Sequence, residues 1–461
     1  MERGLVNVIA VIALWCVGSP FVLAVEDTRP ALPLEDLRPP LPQSPAINSA
    51  QPSAKLTLDG ALDEAYNANP TLAATIAQRP VAEAGIVQAK IRVNPYYQTE
   101  IAPAEVTYRF FVFTTTTQLG LKRQRRIEVA KRLIDSTNAT IRTMAWKIRQ
   151  DTESAFFELA VARQALVVME DYVATTERLL KTTQARLEAR DASGLEVLRA
   201  EAAVADAKSQ LAPVQVRVQQ ASRQLNLVLA RQPERAIDIF LPEFLQLGKL
   251  SARIPAFASL IEEAQKSRPE FRQNTADLSV QESRMKLARS FRWPDLQTGM
   301  GMSSVPQVSA QDAHNYWGSH VLNKPVWLAT VPITVNDHGQ GILATAQAAA
   351  RQLQQQRIAL LNQVRQEVNL SYSNAYAAER QMDILFNESL PRQARILSMS
   401  ETGYRQGVLD LTAAITAQQT ALAARLNFLQ TATRYFQSLV EMERAVGRPV
   451  ISDMMSGGQS Q

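Results

Sequence analysis

The sequence predicts a mainly α-helical chain with a membrane β-barrel, built by duplicating a helix-strand-strand-helix-helix unit. Three observations carry that expectation. Leu121 to Ser193 is a run of 73 residues with neither glycine nor proline. Two separate stretches have aromatic, threonine-rich β composition. The order of these textures then occurs twice along 461 residues.

Composition narrows the function. A net charge of +5 is small for this length, and no basic stripe carries interleaved aromatics, so nucleic acid is not an expected partner. Cys16 is the sole cysteine. It lies in residues 1–24, which have the form of a secretory signal: an apolar run from Val6 to Val17, a break at Gly18-Ser19-Pro20, then Val22-Leu23-Ala24 for cleavage. The bulky Trp15 before Cys16 argues against a lipoprotein signal. Cleavage would leave a chain without disulfides or Cys-based metal sites. No later stretch offers 18 consecutive apolar residues, so a second helical span is not expected. Residues 25–55 hold seven prolines and form a flexible or polyproline-like extension.

The first repeat covers residues 56–232. Leu56-Thr57-Leu58-Asp59 suggests a strand-like entry with an acidic cap, followed by a helical pattern to about Asn94, interrupted at Pro70 and Pro80. Asn94-Pro95 ends it, because the residue before proline is pushed out of αR. Tyr96, Tyr97, Tyr108, Phe110, Phe111 and Phe113 then fall within eighteen residues, enough for two strands within about 96–119.

The long run follows. As one helix it would extend roughly 110 Å. Ile127, Ile134, Ile141, Ile148, Ala155, Ala162 and Met169 step by seven, and so do Leu159, Leu166, Val173, Leu180 and Leu187. Such ladders form a coiled-coil seam. A shorter helix carries Val197, Val204, Leu211, Val218 and Leu225, with a kink expected at Pro213.

Residues 233–256 are a linker, and residues 257–448 repeat the pattern. A shift of 199 pairs Glu64-Ala65 with Glu263-Ala264, Pro70 with Pro269, Ala89 with Ala288, Pro95 with Pro294 and Gln98-Thr99 with Gln297-Thr298. Strands are expected within about 294–335. Another long helix with one interruption at Pro391 follows, then a turn at Gly403 to Gly407 and a last helix to Val446. There the register is 217, pairing Ala200 with Ala417 and Arg231 with Arg448. Residues 449–461 form a flexible tail. Four strands cannot close a barrel with a useful lumen, so several subunits are implied; three would give twelve strands.

Several motifs resemble the TolC-like outer-membrane efflux family over about residues 56 to 448. Ala89-Lys90-Ile91-Arg92-Val93-Asn94-Pro95 is similar to its helix end before the first strand. Gln118-Leu119-Gly120-Leu121-Lys122-Arg123 resembles the strand-to-helix pattern of its heavy-metal-efflux branch, with Leu121 in place of a second glycine. Leu225 to Ala230, followed by Pro233, resembles the end of the first repeat, and Tyr404-Arg405-Gln406-Gly407 the tip turn of the second. The resemblance implies a trimeric 12-stranded outer-membrane β-barrel continued by a long periplasmic α-helical barrel. It implies a passive duct in a homotrimer, working with a periplasmic adaptor (a membrane fusion protein) and an inner-membrane pump of the RND type. Neither catalysis nor a cofactor is implied.

Carried onto this chain, the family's tip and docking region covers Asp191, Glu196, Tyr404, Arg405, Gly407 and Asp410. Leu195-Glu196-Val197-Leu198 matches its acidic tip pattern, whereas Thr412 to Thr416 lacks the acidic residues often found there. The expected latch is Glu196 accepting a hydrogen bond from Tyr404. Trp293, Trp317 and Trp327 suit an interfacial aromatic girdle where the barrel meets outer-membrane lipid. Lys122-Arg123 and Arg125-Arg126 are expected to form a solvated collar. His314, His320 and His338 lack close metal-ligand spacing. Met300 and Met302 share a strand face and are expected to line the barrel. No nucleophile-base set, P-loop or dinucleotide fingerprint is present. A protein-secretion duct and a periplasmic coiled-coil scaffold or adaptor are the alternatives.

Overall fold

The computed structural model of the chain describes residues 55–102, 108–240, 257–306 and 321–449. The expected signal, nearly all of the proline-rich extension, most of the linker and tail, and Trp317, His314 and His320 lie outside them.

The first repeat begins with α1 (Leu58–Ala68), α2 (Pro70–Ile76) and α3 (Gln78–Lys90). The cap of α1 is Thr57, whose hydroxyl accepts from Gly60 N; Asp59 sits inside the first turn. Strands β1 (Tyr96–Ala102) and β2 (Tyr108–Thr117) follow, then α4 (Lys122–Glu188) and α5 (Gly194–Val228). The second repeat comprises α6 (Phe257–Ser267), α7 (Pro269–Ser290), β3 (Leu296–Pro306), β4 (Val321–Thr330), α8 (Gln340–Ile384), a π-turn (Leu385–Ser389), α9 (Leu390–Arg405) and α10 (Leu411–Val446). No described helix is long and apolar enough to cross a membrane.

Helix α4 has 67 residues, about 100 Å of rod. It stops before Ser193 because Arg190 turns left-handed (φ 60) and Asp191 N returns to Arg186 O at 2.8 Å. The first heptad ladder is buried from Ile141 to Met169. Beyond Leu159 the second lies at the edge of the seam, with Val173 and Leu180 half-buried against it. There Met169, Tyr172, Thr176, Leu179 and Thr183 are buried, and Leu187 is exposed. The threonines tolerate burial because each hydroxyl bonds the carbonyl four residues back, Tyr172 O at 2.8 Å and Leu179 O at 2.9 Å. Pro213 lies inside α5 without ending it. Pro391 lacks the amide for a carbonyl four residues back, and the π-turn falls in the residues just before it.

The duplication holds at single residues. Glu64 pairs with Arg231, and their repeat equivalents Glu263 and Arg448 pair at 2.7 Å. Three non-glycine residues with positive φ in the first repeat, Leu121, Arg190 and Ala230, each correspond to a positive-φ glycine in the second: Gly339, Gly407 and Gly447.

The strands form one antiparallel sheet in the order β1-β2-β3-β4. Register places Tyr97, Phe113, Met300 and Trp327 in one row, with Phe111 and Met302 beside them on the same face. All six are exposed, and Trp327 is 77% so. The opposite face is mixed: Gln98, Glu100, Thr114, Gln297, Gly299, Gly301, Ser303 and Lys324 share it with Tyr96, Phe110, Val112, Val326 and Leu328. Here Val112, Thr114 and Ser303 are buried. A Cβ at Gly301 would collide with Phe111 O, and one at Gly299 would fall 2.9 Å from Thr114 Oγ1. Glycine therefore allows the backbones to close on that face.

The main core joins α1, α4, α5, α8 and α10 around residues such as Leu62, Leu159, Phe156, Leu225, Val368, Phe436 and Val446. Between repeats, α4 packs on α7 and α10, and β2 pairs with β3. The symmetry-related packings would be α8 on α3, α8 on α5, and β4 on β1. None of comparable extent forms among the described residues. Among the described residues no strand pairs with the outer edge of β1 or β4. Val81 and Val87 on α3, Val216 and Leu227 on α5, and Ile342, Ile358 and Leu370 on α8 are left exposed.

Candidate functional site

Two places concentrate specific contacts: the junction of sheet and helices, and the turns at the far end of the rods. At the junction the basic run is not a solvated collar. Lys122 is buried, its Nζ donates to Asp295 Oδ1 at 2.7 Å, and it lies 5.6 Å from the Phe291 ring centre. Arg123 Nε donates to Lys90 O at 2.8 Å, at the end of α3. Arg126 bonds Ile91 O (3.3 Å) and Gln118 Oε1 (2.8 Å). A helix leaves its last carbonyls unpaired, and guanidinium groups satisfy them here. Arg125 pairs with Glu128, which also takes Lys286 of α7, and those two cations hold its carboxyl below the usual range. Gly120 (φ 70) has no room for a Cβ against Trp293. The basic residues thus fix the angle between sheet and rods.

Trp293, after α7, and Trp327, near the helix-proximal end of β4, are both exposed. Trp317 is outside the described residues. Met300 and Met302 lie on the exposed apolar face with Trp327. His338 is exposed beside the start of α8. Among the described residues no group of three His, Cys, Asp or Glu could hold a metal ion.

At the far end, α4 turns into α5 and α9 into α10. Tyr404 is fully buried with Leu179, Ala200, Leu411 and Ala414. Its hydroxyl donates to Thr183 Oγ1 at 2.9 Å, so the expected bond to Glu196 is not formed. Thr183 was invisible as a partner because it sits one turn up the rod rather than in the turn. Arg186 binds the two turns together: it donates to Tyr404 O (2.8 Å) and Asp191 O (3.2 Å), and stacks 4.6 Å from the Tyr404 ring centre. Glu196 occupies the first turn of α5, where Ser193 caps the helix through Glu196 N. Its side chain is half-buried. Asp410 caps α10 by accepting from Ala413 N at 3.0 Å. Asp191, Arg405, Gly407 and Asp410 are exposed. Gly407 is required by its φ of 72, since a Cβ there would meet only Arg186 NH2 at 3.6 Å.

The structure therefore brings Asp191, Tyr404 and Gly407 together around Arg186, a residue the sequence alone did not single out. Its signal was weak: one arginine in the last turn of a rod rich in them.

No protein-family model matches the chain. It is 22% identical over 402 residues to the cobalt-zinc-cadmium resistance protein CzcC of Cupriavidus metallidurans, covering 85% of this chain and 90% of that one. Among solved structures, the outer-membrane channel OprN superposes with a TM-score of 0.62 at 15% identity, covering 85% of this chain and 90% of that chain. CusC, described in terms of transmembrane channel formation, gives 0.63 at 14% identity, with 89% and 98% covered. The open-state outer-membrane channel MtrE of Neisseria gonorrhoeae gives 0.64 at 15%, with 89% and 96% covered. All are similar along nearly the whole described chain, including both repeats.

Proposed function

We propose that this chain, which has the TolC-like outer-membrane channel fold, is the passive exit duct of a tripartite efflux system in a Gram-negative outer membrane. Three copies would close one twelve-stranded barrel, and their rods would continue it as a helical tunnel in the periplasm. The observation that carries this is the set of unmatched faces: among the described residues, α8, α3, α5 and both sheet edges lack packings as extensive as those of their repeat equivalents. A head-to-tail copy supplies all of them at once, and such contacts close into rings. The sheet's exposed aromatic face then meets lipid and its mixed face, with the glycines and Gln98, Glu100, Gln297 and Lys324, lines the lumen. Trp293 and Trp327 belong at the interface nearest the rods.

The turns carrying Asp191, Glu196, Arg405, Gly407 and Asp410 form the periplasmic aperture and meet the adaptor, which connects to an inner-membrane pump of the RND type. Energy comes from that pump. The relative named for cobalt, zinc and cadmium resistance favours metal ions as cargo over small toxic compounds.

The test is a deletion strain challenged with divalent metals, copper and organic toxicants. It is complemented by wild type or by Gly301→Val, which blocks β2–β3 pairing through Phe111. Selective metal sensitivity rescued only by wild type supports the reading. Sensitivity to organics alone moves the cargo to small toxic compounds. Rescue by Gly301→Val sinks the duct, as does failure of the protein to fractionate with the outer membrane.

A further inference from the structure

The connections between sheet and rods concentrate the chain's positive charge. Residues 88–95, 118–128, 286–295 and 331–342 contain nine Lys and Arg against three Asp and Glu, a formal +6, while the whole chain carries +5. Each of the three acids is engaged. Asp295 takes Lys122, Glu128 takes Arg125 and Lys286, and Asp337 accepts from Gly339 N at 3.0 Å. Among the described residues no carboxylate pairs with Arg92, Arg123, Arg126, Arg289 or Arg292. Arg92, Arg289 and Arg292 are exposed.

The same connections are apolar. Side chains alternate between the two faces of an extended chain. Counting by twos from the exposed row toward the rods, Tyr97 leads to Val93 and Ile91, Phe113 to Leu119, and Trp327 to Val331 and Ile333. All five are exposed, Ile333 by 86%, and so is Trp293. Specific contacts tie the connections together. Arg126 bonds both Ile91 O and Gln118 Oε1, Trp293 fills the space beside Gly120, and Thr334 Oγ1 donates to Arg292 O at 3.5 Å. The aromatic face thus continues toward the rods, over about 20 Å of extended chain, as an aliphatic band accompanied by unpaired arginines.

One kind of partner meets both features. A soluble anion would answer the charge and leave the band in water. A neutral lipid would cover the band and leave the arginines unmatched. Strand pairing with a neighbouring copy uses the sheet edges and leaves this face uncovered. We propose that the junction is a binding belt for anionic phospholipid in the leaflet nearest the rods, with the aliphatic band among the acyl chains and Arg289 and Arg292 on headgroup phosphates. Guanidinium groups suit that role because their donors match phosphate oxygens in pairs, and basic residues flanking an apolar surface are drawn to anionic lipid. The inference rests on the barrel reading above and adds which lipid the barrel selects.

The experiment reconstitutes full-length protein in vesicles of phosphatidylcholine alone, or of equal parts phosphatidylcholine and phosphatidylglycerol, with a spin-labelled form of each lipid. The motionally restricted fraction of each label reports which lipid the protein holds. Wild type should restrict phosphatidylglycerol at least about fivefold more strongly than phosphatidylcholine, the worth of one arginine at an anionic surface. High salt should shrink that preference. Arg289→Gln combined with Arg292→Gln should remove most of it. Arg351→Gln combined with Arg365→Gln, the same loss of charge at exposed positions further along α8, should leave it intact. Equal restriction of the two lipids by wild type, or an unchanged preference in the Arg289 and Arg292 variant, overturns the belt and leaves the duct standing. Failure to insert into either vesicle overturns both.

Discussion

At the scale of single residues, the first repeat carries side chains where the second keeps glycine. Ala230 (φ 54) and Gly447 (φ 80) occupy the same place, just past the last turn of α5 and of α10. A left-handed conformation costs an L-residue about 1–2 kcal/mol, offset partly by the smaller entropy lost on folding. Ala230→Gly should therefore stabilise by a few tenths to about 1 kcal/mol. Gly447→Ala should destabilise by more than about 1 kcal/mol, because its Cβ would also fall 2.5 Å from Arg268 Cα. Denaturant midpoints of the purified protein measure both, and equal shifts in one direction would contradict the argument. Nothing in the residue types revealed this. Alanine, arginine and leucine have no special conformation on their own, and only the repeat register identifies the positions. The basic run at Lys122 misled for a related reason: charge predicts solvent unless carbonyl ends and Asp295 are known to lie opposite.

At the scale of elements, the rods and strands were legible because each has a strong local signature. A 73-residue stretch without breakers leaves few options besides a long helix, and clustered aromatics with threonine favour strands. The seam of α4 below Met169 was not legible. Leucines and valines at seven-residue spacing competed with Tyr172, Thr176 and Thr183, and the positions of α5 and α10 decide which stripe is covered. The same threonine stripe receives Tyr404. Tyr404→Phe removes a buried hydroxyl bond while Thr183 keeps its bond to Leu179 O. The loss should be about 1 kcal/mol, or roughly fivefold less exchange protection at the tip. Glu196→Gln should leave tip protection unchanged, since its carboxylate takes no part in that contact. Hydrogen exchange over residues 179–190 and 400–410 separates the two. A larger effect from Glu196→Gln would restore the latch and discard the Thr183 anchor.

At the scale of the whole molecule, the chain contains one finished copy of each inter-repeat contact and one unfinished copy. That asymmetry was visible in the sequence only as a duplication; which faces remain open depends on packing. It also permits a residue-level forecast of the contact between copies. Within the chain, Ser136 on α4 donates to Asp277 on α7. The 199-residue register carries Asp277 onto Gln78, at the start of α3. The spacing of Leu121 and Gly339 carries Ser136 onto Gln354 of α8. Both glutamines are exposed and their helices do not pack extensively on each other within the chain. In a closed ring they would face each other across the boundary between copies. Removal of Cys16 with the signal would leave no native thiol to compete. Gln78→Cys combined with Gln354→Cys should therefore cross-link under oxidation into covalent dimers and trimers on denaturing gels, with each single substitution giving neither. Mixing the two single variants in one cell should yield dimers but no longer ladders, because each boundary then needs one of each. A ladder from either single variant, or a monomer from the double variant, would mean that the copies do not meet through α3 and α8.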